Sequence, residues 1–478
     1  MCLHYNIHIF QMLKQPIVDT LHARTPDPAC ATSTATLRQP GLPGGACGKL
    51  AQLPVQNATI MIQIRNFYRR RRRAPAVTRA RSRFGAFPPS MLVLLPLLAA
   101  CSVQDNHPVT VIPQVVPAEL YVAPDGLDSN PGTRAAPLRT LARAAQVVQP
   151  GTIVNVLPGV YHGGFRTAVS GLSNARIVFR SSERWGARIV PPPLSSNAAA
   201  WDNRASYVDI EGFEIDGSAQ ASGTGMEIGI GAGNAASTGM KWTTGIYSGG
   251  SYNRITGNHV HHVANSIACT SSDGGGIGVD SYYKGMHSEV SGNSVHDIGP
   301  PDCRYVHGIY MNAPGTIRNN VVYRVAEAGI LLWHDAHRVS IVNNTVTASN
   351  RGILVGGGDF YHTKGLNDHT QVINNIVYDN RFGIAELGAT GPHNSYRNNL
   401  VFQNPGGDWS LAQGMSHSGT VAAAPNFVAY TRSGTPDFRL AQRSPAIGKG
   451  LDLGADQPDF YGKARPSAVE VDIGAAQH

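Results

Sequence analysis

Ile255-Thr-Gly-Asn258-His-Val260 is the first of six variants of one phrase lying between Tyr252 and Asn404. The others are Val290-Ser-Gly-Asn293-Ser-Val295, Ile317-Arg-Asn-Asn320-Val-Val322, Ile341-Val-Asn-Asn344-Thr-Val346, Val372-Ile-Asn-Asn375-Ile-Val377 and Tyr396-Arg-Asn-Asn399-Leu-Val401. In each, an apolar or aromatic residue stands three before the last Asn and an apolar one two after it. A second phrase, Gly-Ile-x-(apolar), alternates with the first at Gly276, Gly308, Gly329 and Gly352, and at Gly383 with Glu386 in the last place. A unit repeated in this way, too small to bury its own apolar face, implies a solenoid.

The repeat length selects among solenoids. Successive ladder asparagines are separated by 35, 27, 24, 31 and 24 residues, which fits a coil of about 22–24 residues carrying insertions. A leucine-rich repeat would need a Leu framework; here Ile and Val alternate with small or polar residues in short runs, the pattern of strands with one side in and one side out. The expected class is all-β, a single-stranded parallel β-helix. Stacked coils would set each Asn over the last, so that the amides satisfy backbone groups at a corner. These asparagines are therefore read as scaffold.

Charge is unevenly spread. Residues 1–100 hold 13 of the 39 Lys and Arg but only Asp19 and Asp27 among the acids, leaving 26 basic against 29 acidic residues in the remainder. A nucleic-acid binder needs a basic stripe on its folded part, and none is visible. Residues 1–60 show no sustained period and are read as a disordered or non-native extension. From Met61, the arginines at 65, 69 to 73, 79, 81 and 83 precede the apolar run Met91-Leu-Val-Leu-Leu-Pro-Leu-Leu-Ala-Ala100. This is an export signal, too short to span a bilayer. Leu98-Ala99-Ala100-Cys101 resembles the bacterial lipobox, which implies lipidation of Cys101. The expectation is an outer-membrane lipoprotein facing the periplasm or the cell surface, anchored by lipid alone, with residues 61–101 as signal, 102–117 as tether and 118–478 as one domain.

The folded part opens with Leu120-Tyr-Val-Ala-Pro-Asp-Gly-Leu-Asp-Ser-Asn-Pro-Gly132-Thr133. Pro137 to Val148 follows as an amphipathic helix, with Leu138, Leu141, Ala145 and Val148 on one face. A solenoid must cover its first open coil, and a helix before the first strand fits that task. Gly151-Thr-Ile-Val-Asn-Val-Leu-Pro-Gly-Val-Tyr161 is a strand and a turn. This stretch resembles the amino-terminal module of bacterial right-handed parallel β-helix proteins of the pectate-lyase-like superfamily, including a calcium-dependent pectate lyase family. The resemblance implies a right-handed coil, an N-terminal capping helix, a carbohydrate theme and Ca²⁺ as a possible cofactor. No residue of that family's calcium cluster or base can be matched to this chain. Ser444 to Gly450 and Val471 to Ala475 likewise resemble the closing segment of secreted β-helix proteins.

Two insertions are long. Cys269 lies 11 residues past Asn258, and Cys303 lies 10 past Asn293. Adjacent coils stand about 4.8 Å apart, inside the roughly 4.4–6.8 Å Cα window of a disulfide. The spacing predicts a Cys269–Cys303 bridge formed after export.

A packed β-helix core leaves only outer faces for function. Within the Gly-Ile phrases, Gly278, Asp280, Tyr310, Asn312, Leu331 and Trp333 are expected to face outward, with insertions walling both sides of the strip. Tyr282, Tyr283, Tyr310, Asn312 and Trp333 are the candidate substrate contacts, the aromatic rings stacking on sugars. Elimination from a uronate needs a cation at the carboxylate and a base for the C5 proton. Lys284 and Arg304 are candidate clamp or base, and His307, His334 and Tyr310 candidate proton-transfer groups, with Asp335 able to orient His334. Glu227, Asp273 and Asp280 are candidate Ca²⁺ ligands. Most of these residue types have a blander use, the aspartates as turn caps and Lys284 as a solvated side chain. The function expected is a polysaccharide lyase acting on an acidic polysaccharide by β-elimination. The alternatives are a non-catalytic carbohydrate-binding or surface-assembly protein and a uronan C5-epimerase.

Overall fold

Each coil contributes three strands in fixed order, and like strands stack in parallel into three sheets. A computed structural model describes residues 118–192, 199–218, 242–267, 269, 274–454, 458–466 and 471–478. The first sheet has 11 strands, from Glu119–Val122 to His417–Ser418. The second has 9, from Gly159–His162 to Leu400–Phe402, and the third has 9, from Phe165–Thr167 to Trp409–Ser410. The leader and the lipobox with Cys101 lie outside the described residues.

The six phrases form the corner between the first and second sheets. Ile255, Val290, Ile317, Ile341, Val372 and Tyr396 stack in register on the first sheet. Val260, Val295, Val322, Val346, Val377 and Val401 do so on the second. All are buried, and each contributes about 1.5–3 kcal/mol by leaving water. Between the two strands, the residue before the ladder Asn turns the chain with positive φ, from +67° at Gly257 and +65° at Gly292 to +53° at Asn319 and +48° at Asn398. Gly and Asn tolerate this left-handed conformation best, which explains why the phrase reads Gly-Asn or Asn-Asn.

The asparagines form the expected ladder. Asn258 donates from its backbone N to Asn293 Oδ1 at 2.9 Å and from Nδ2 to the same atom at 3.1 Å, while also donating to the Ile210 carbonyl. The arrangement repeats through Asn320, Asn344, Asn375 and Asn399. A second ladder runs through Ser349, Asn380 and Asn404 to Asp408 at the next corner.

The capping helix is shorter than the sequence suggests. It spans Leu141–Val147, capped by Thr140, whose hydroxyl accepts from Arg143 N. Pro137 and Leu138 extend the sheet instead: Leu138 N donates to the Tyr121 carbonyl, and Ala123 N to that of Leu138. The predicted face is nonetheless the buried one, Leu138, Leu141, Ala145 and Val148 all being in the core. At the other end, a hairpin of Phe427–Ala429 with Asp437–Leu440 leads a segment packed on the outside of the second sheet. Phe438 meets Tyr323 at 5.3 Å, and Ala475 N donates to Thr345 Oγ1 at 3.0 Å. Cys269 and Cys303 form the expected disulfide, with Cα atoms 5.4 Å apart.

Candidate functional site

The Gly-Ile phrases make the third sheet, and their outward residues align in register. Tyr247, Gly278, Tyr310, Leu331, Leu354 and Ala385 form one column, with Gly275 beside His307 in the next. Gly278 leaves a gap between two tyrosines. A Cβ there would find its nearest neighbours at 3.9 Å, on Thr244 and Tyr247, so the position has ordinary room for a side chain and lacks one. The result is a trough floored by glycine and bounded by Tyr247 and Tyr310.

Loops after the strands wall one side. Asp280 anchors the first, Oδ2 accepting from the Tyr247 hydroxyl at 2.7 Å and Oδ1 from Tyr282 N at 2.9 Å and Asn312 Nδ2 at 3.3 Å. Asp335 ties the first loop to a later one. Its carboxylate accepts from Ser281 Oγ at 3.0 Å, His362 N at 3.0 Å, and the N and Oγ1 of Thr363 at 3.0 and 2.8 Å. Burial works against that charge, yet these donors outweigh it and hold the carboxyl below the usual range. His362 Nε2 lies 3.0 Å from the Tyr282 carbonyl and closes the wall. Asp335 does not touch His334 as an orienting partner; its oxygens are occupied by the two loops.

His334 has a different partner. Its Nδ1 lies 2.8 Å from the Asp359 carbonyl, which accepts only, so Nδ1 carries the hydrogen and Nε2 is left as an acceptor. The Tyr361 hydroxyl sits 2.9 Å from that Nε2 and donates to it. The two rings also stack, with centroids 4.0 Å apart. His334 is buried, whereas Tyr361 is 38% exposed and meets Tyr282 edge-on at 5.4 Å. Tyr282 and Tyr283 are 43% and 53% exposed, and Tyr310 lies 6.2 Å from His334. The structure thus gathers Tyr282, Tyr310 and His334 and adds Tyr361. That pairing leaves no trace in the sequence beyond the presence of a Tyr-His pair in the insertion at 361 and 362.

The remaining candidates are dispersed in character. His307 lies beneath Tyr310 at 5.2 Å, buried, with burial pushing its pKa down to about 3 and no hydrogen-bond partner at Nδ1 among the described residues. Asn312 is buried beside Asp280, its Oδ1 without a hydrogen-bond partner among the described residues. Trp333 covers glycines: a Cβ on Gly356 would come within 2.5 Å of its ring. Lys284 and Arg304 are exposed and make no ion pair among the described residues. Arg204, which the sequence reading missed, lies 4.3 Å over Tyr247 and 4.0 Å from the Tyr283 ring while pairing with Asp202.

Of the three expected calcium ligands, Asp280 alone lies among the described residues. Glu227 and Asp273 lie outside them, and both oxygens of Asp280 accept hydrogen bonds from the chain.

Residues 244–420 match the model of a family described as right handed beta helix region. The chain is a right-handed parallel β-helix. Residues 125–165 match a family described as protein of unknown function (DUF1565), and 64 residues are 42% identical to the uncharacterized protein YwoF of Bacillus subtilis (strain 168). That match covers 13% of this chain and 14% of YwoF. Among solved structures, the β-helix is similar to pectate lyase Pel9A, with a TM-score of 0.47 and 17% identity over 76% of this chain and 97% of that one. A rhamnogalacturonan lyase gives 0.43 and 15% over 68% and 95%. The A-module of mannuronan C-5 epimerase AlgE4 from Azotobacter vinelandii gives 0.39 and 16% over 58% and 67%. At these identities the likeness concerns the fold alone.

Proposed function

We propose that this β-helix binds an acidic, uronate-containing polysaccharide along the third sheet and cleaves it by β-elimination. The observation that carries the reading is the Tyr361–His334 hydrogen bond beside a glycine-floored trough rimmed by tyrosines. A phenol is a weak base until something accepts its proton, and His334 Nε2 is set to do so. Tyr282, Tyr283 and Tyr310 offer faces for sugar rings, and Lys284 and Arg304 offer unspent positive charge for uronate carboxylates.

In the proposed reaction, the Tyr361 proton passes to His334 Nε2 and the phenolate oxygen removes the C5 proton. The C4–O bond breaks, its electron pair leaves with the departing oxygen, and a C4=C5 double bond forms. That oxygen takes a proton back from Tyr361, and His334 returns the one it held, so the pair ends as it began. Lys284 or Arg304 would neutralise the carboxylate as charge builds on it.

Export to the cell envelope, with the chain lipidated at Cys101, belongs to the same proposal. It is supported by the basic and apolar leader and by the Cys269–Cys303 disulfide, a bond characteristic of oxidising compartments. Incubation of the protein with a panel of acidic polysaccharides, read by the absorbance of unsaturated uronates, tests the reaction. New absorbance supports it. Retention on a polysaccharide column without absorbance would replace it with the binding protein, and solvent-deuterium incorporation at C5 without chain cleavage with the epimerase.

A further inference from the structure

The outer face of the second sheet carries a histidine cluster for which the groove on the third sheet has no use. On three successive coils, Glu214 pairs in register with His259, Asp216 with His261, and His261 with His296. His259 Nε2 lies 2.7 Å from His296 Nε2, and His261 Nε2 lies 3.0 Å from Glu214 Oε1. The ligand atoms of Glu214, His259 and His261 all fall within 4.8 Å of one another.

We propose that Glu214, His259 and His261 form a transition-metal site, best matched to Zn²⁺, that clips two coils of the second sheet together, with His296 of the following coil as the hydrogen-bond partner of His259. Two imidazoles and a carboxylate suit this ion, which takes four ligands at roughly 2.0–2.2 Å in a tetrahedron and accepts water in an open fourth position. In such a tetrahedron ligand atoms stand about 3.3 Å apart, close to the 3.0 Å between His261 Nε2 and Glu214 Oε1.

The surroundings are those of a ligand set. His296 Nδ1 is 2.6 Å from Asp297 Oδ2, and Arg324 fixes Asp297 through both carboxylate oxygens at 2.6 and 2.7 Å. An imidazole that donates from one nitrogen to a fixed carboxylate presents a lone pair on the other, here Nε2 facing His259. Trp185 packs on His259 at 4.7 Å and Tyr323 stacks on His296 at 4.5 Å, so the rings are held against aromatic faces. Arg188 pairs with Asp216 and lies 3.7 Å from Glu214 Oε2, leaving Oε1 for the metal. His262 meets His261 Nδ1 at 2.8 Å from the opposite side. The competing arrangement is a ladder of hydrogen bonds with no ion, in which His261 Nε2 holds a proton toward Glu214 Oε1. Metal binding displaces that proton.

The test uses the untagged full chain titrated with Zn²⁺ against a chromophoric chelator, with thermal melting alongside. The proposal expects one Zn²⁺ per chain and a rise in Tm on adding it. His261→Asn should weaken binding by about 100-fold or more and His296→Gln, at the hydrogen-bond partner of His259, by about 10- to 100-fold, both losing the Zn²⁺-dependent rise in Tm. His259→Gln, at a half-buried position, serves if His261→Asn does not fold. His393→Gln, in the separate exposed trio with Asp368 and His369, should leave binding unchanged. No retained Zn²⁺, or retention that survives both His259→Gln and His261→Asn, overturns the site.

Discussion

The hydroxyl of Tyr361 donates to Nε2 of His334, 27 positions earlier in the sequence, at 2.9 Å, with the imidazole fixed by the Asp359 carbonyl on its far side. If this pair moves the C5 proton, Tyr361→Phe keeps the ring and removes the transferable proton. Turnover should fall by about 10²–10⁴-fold, with polysaccharide retention on a column unchanged. His334→Gln should fall comparably, and Lys284→Ala and Arg304→Ala by smaller factors. Full activity in Tyr361→Phe would end the assignment.

Gly278→Leu should separate the trough from the scaffold. The position has room for a Cβ, so melting should stay within a degree or two of wild type, while polymer binding and turnover are lost together. Gly308→Leu is the contrast, because a Cβ there would stand 2.5 Å from the Gly329 carbonyl oxygen and 2.7 Å from Val322. That variant should not fold stably.

Asp335→Ala removes the acceptor of four donors on Ser281, His362 and Thr363. Leaving buried donors unpaired costs about 1–3 kcal/mol. The expected result is protease cleavage within residues 358–369 and a raised KM, ahead of any loss of the β-helix circular dichroism signal. Because the folded-state carboxyl titrates below its unfolded value, the anchor's contribution is present at neutral pH and lost as pH falls through the folded pKa.

His307 gives a pH signature of its own. Burial lowers its pKa from 6.5 to about 3, so the unfolded chain binds a proton that the folded chain refuses between those values. Stability is therefore full above about pH 6.5 and declines as pH falls toward 3, by on the order of 4 kcal/mol at the acid limit. His307→Phe should flatten this part of a pH series of denaturation midpoints; an unchanged slope would mean His307 is not the group.

Asn320→Ala breaks the ladder at its centre. It removes the acceptor used by Asn293 N and Nδ2 and the donor to the Val290 and Asn344 oxygens. A loss of about 2–4 kcal/mol is expected, measured by denaturant midpoint, with no change in groove chemistry.

The primary structure determined the parts of this protein that depend on period. Inward and outward residues follow from strand alternation, and the Gly-Asn or Asn-Asn pair marks a left-handed corner followed by a ladder rung. Counting from that ruler was enough to pair Cys269 with Cys303, because stacked coils convert equal offsets into adjacency. The helix face was legible too, though not its start, since Leu138 was claimed by hydrogen bonds to Tyr121 and Ala123 in a strand nearby.

Tertiary structure decided what the insertions do. Asp335 stands next to His334 in the chain and looks like its orienting carboxylate, but its side chain turns to the loops at Ser281 and Thr363 while His334 turns to Tyr361. The clustering of Glu214 with His259 and His261 was equally hidden, because they come from two coils separated by a long insertion. Loop side chains choose among many partners according to which donors remain unsatisfied once the coils have stacked, and no period in the sequence records that choice.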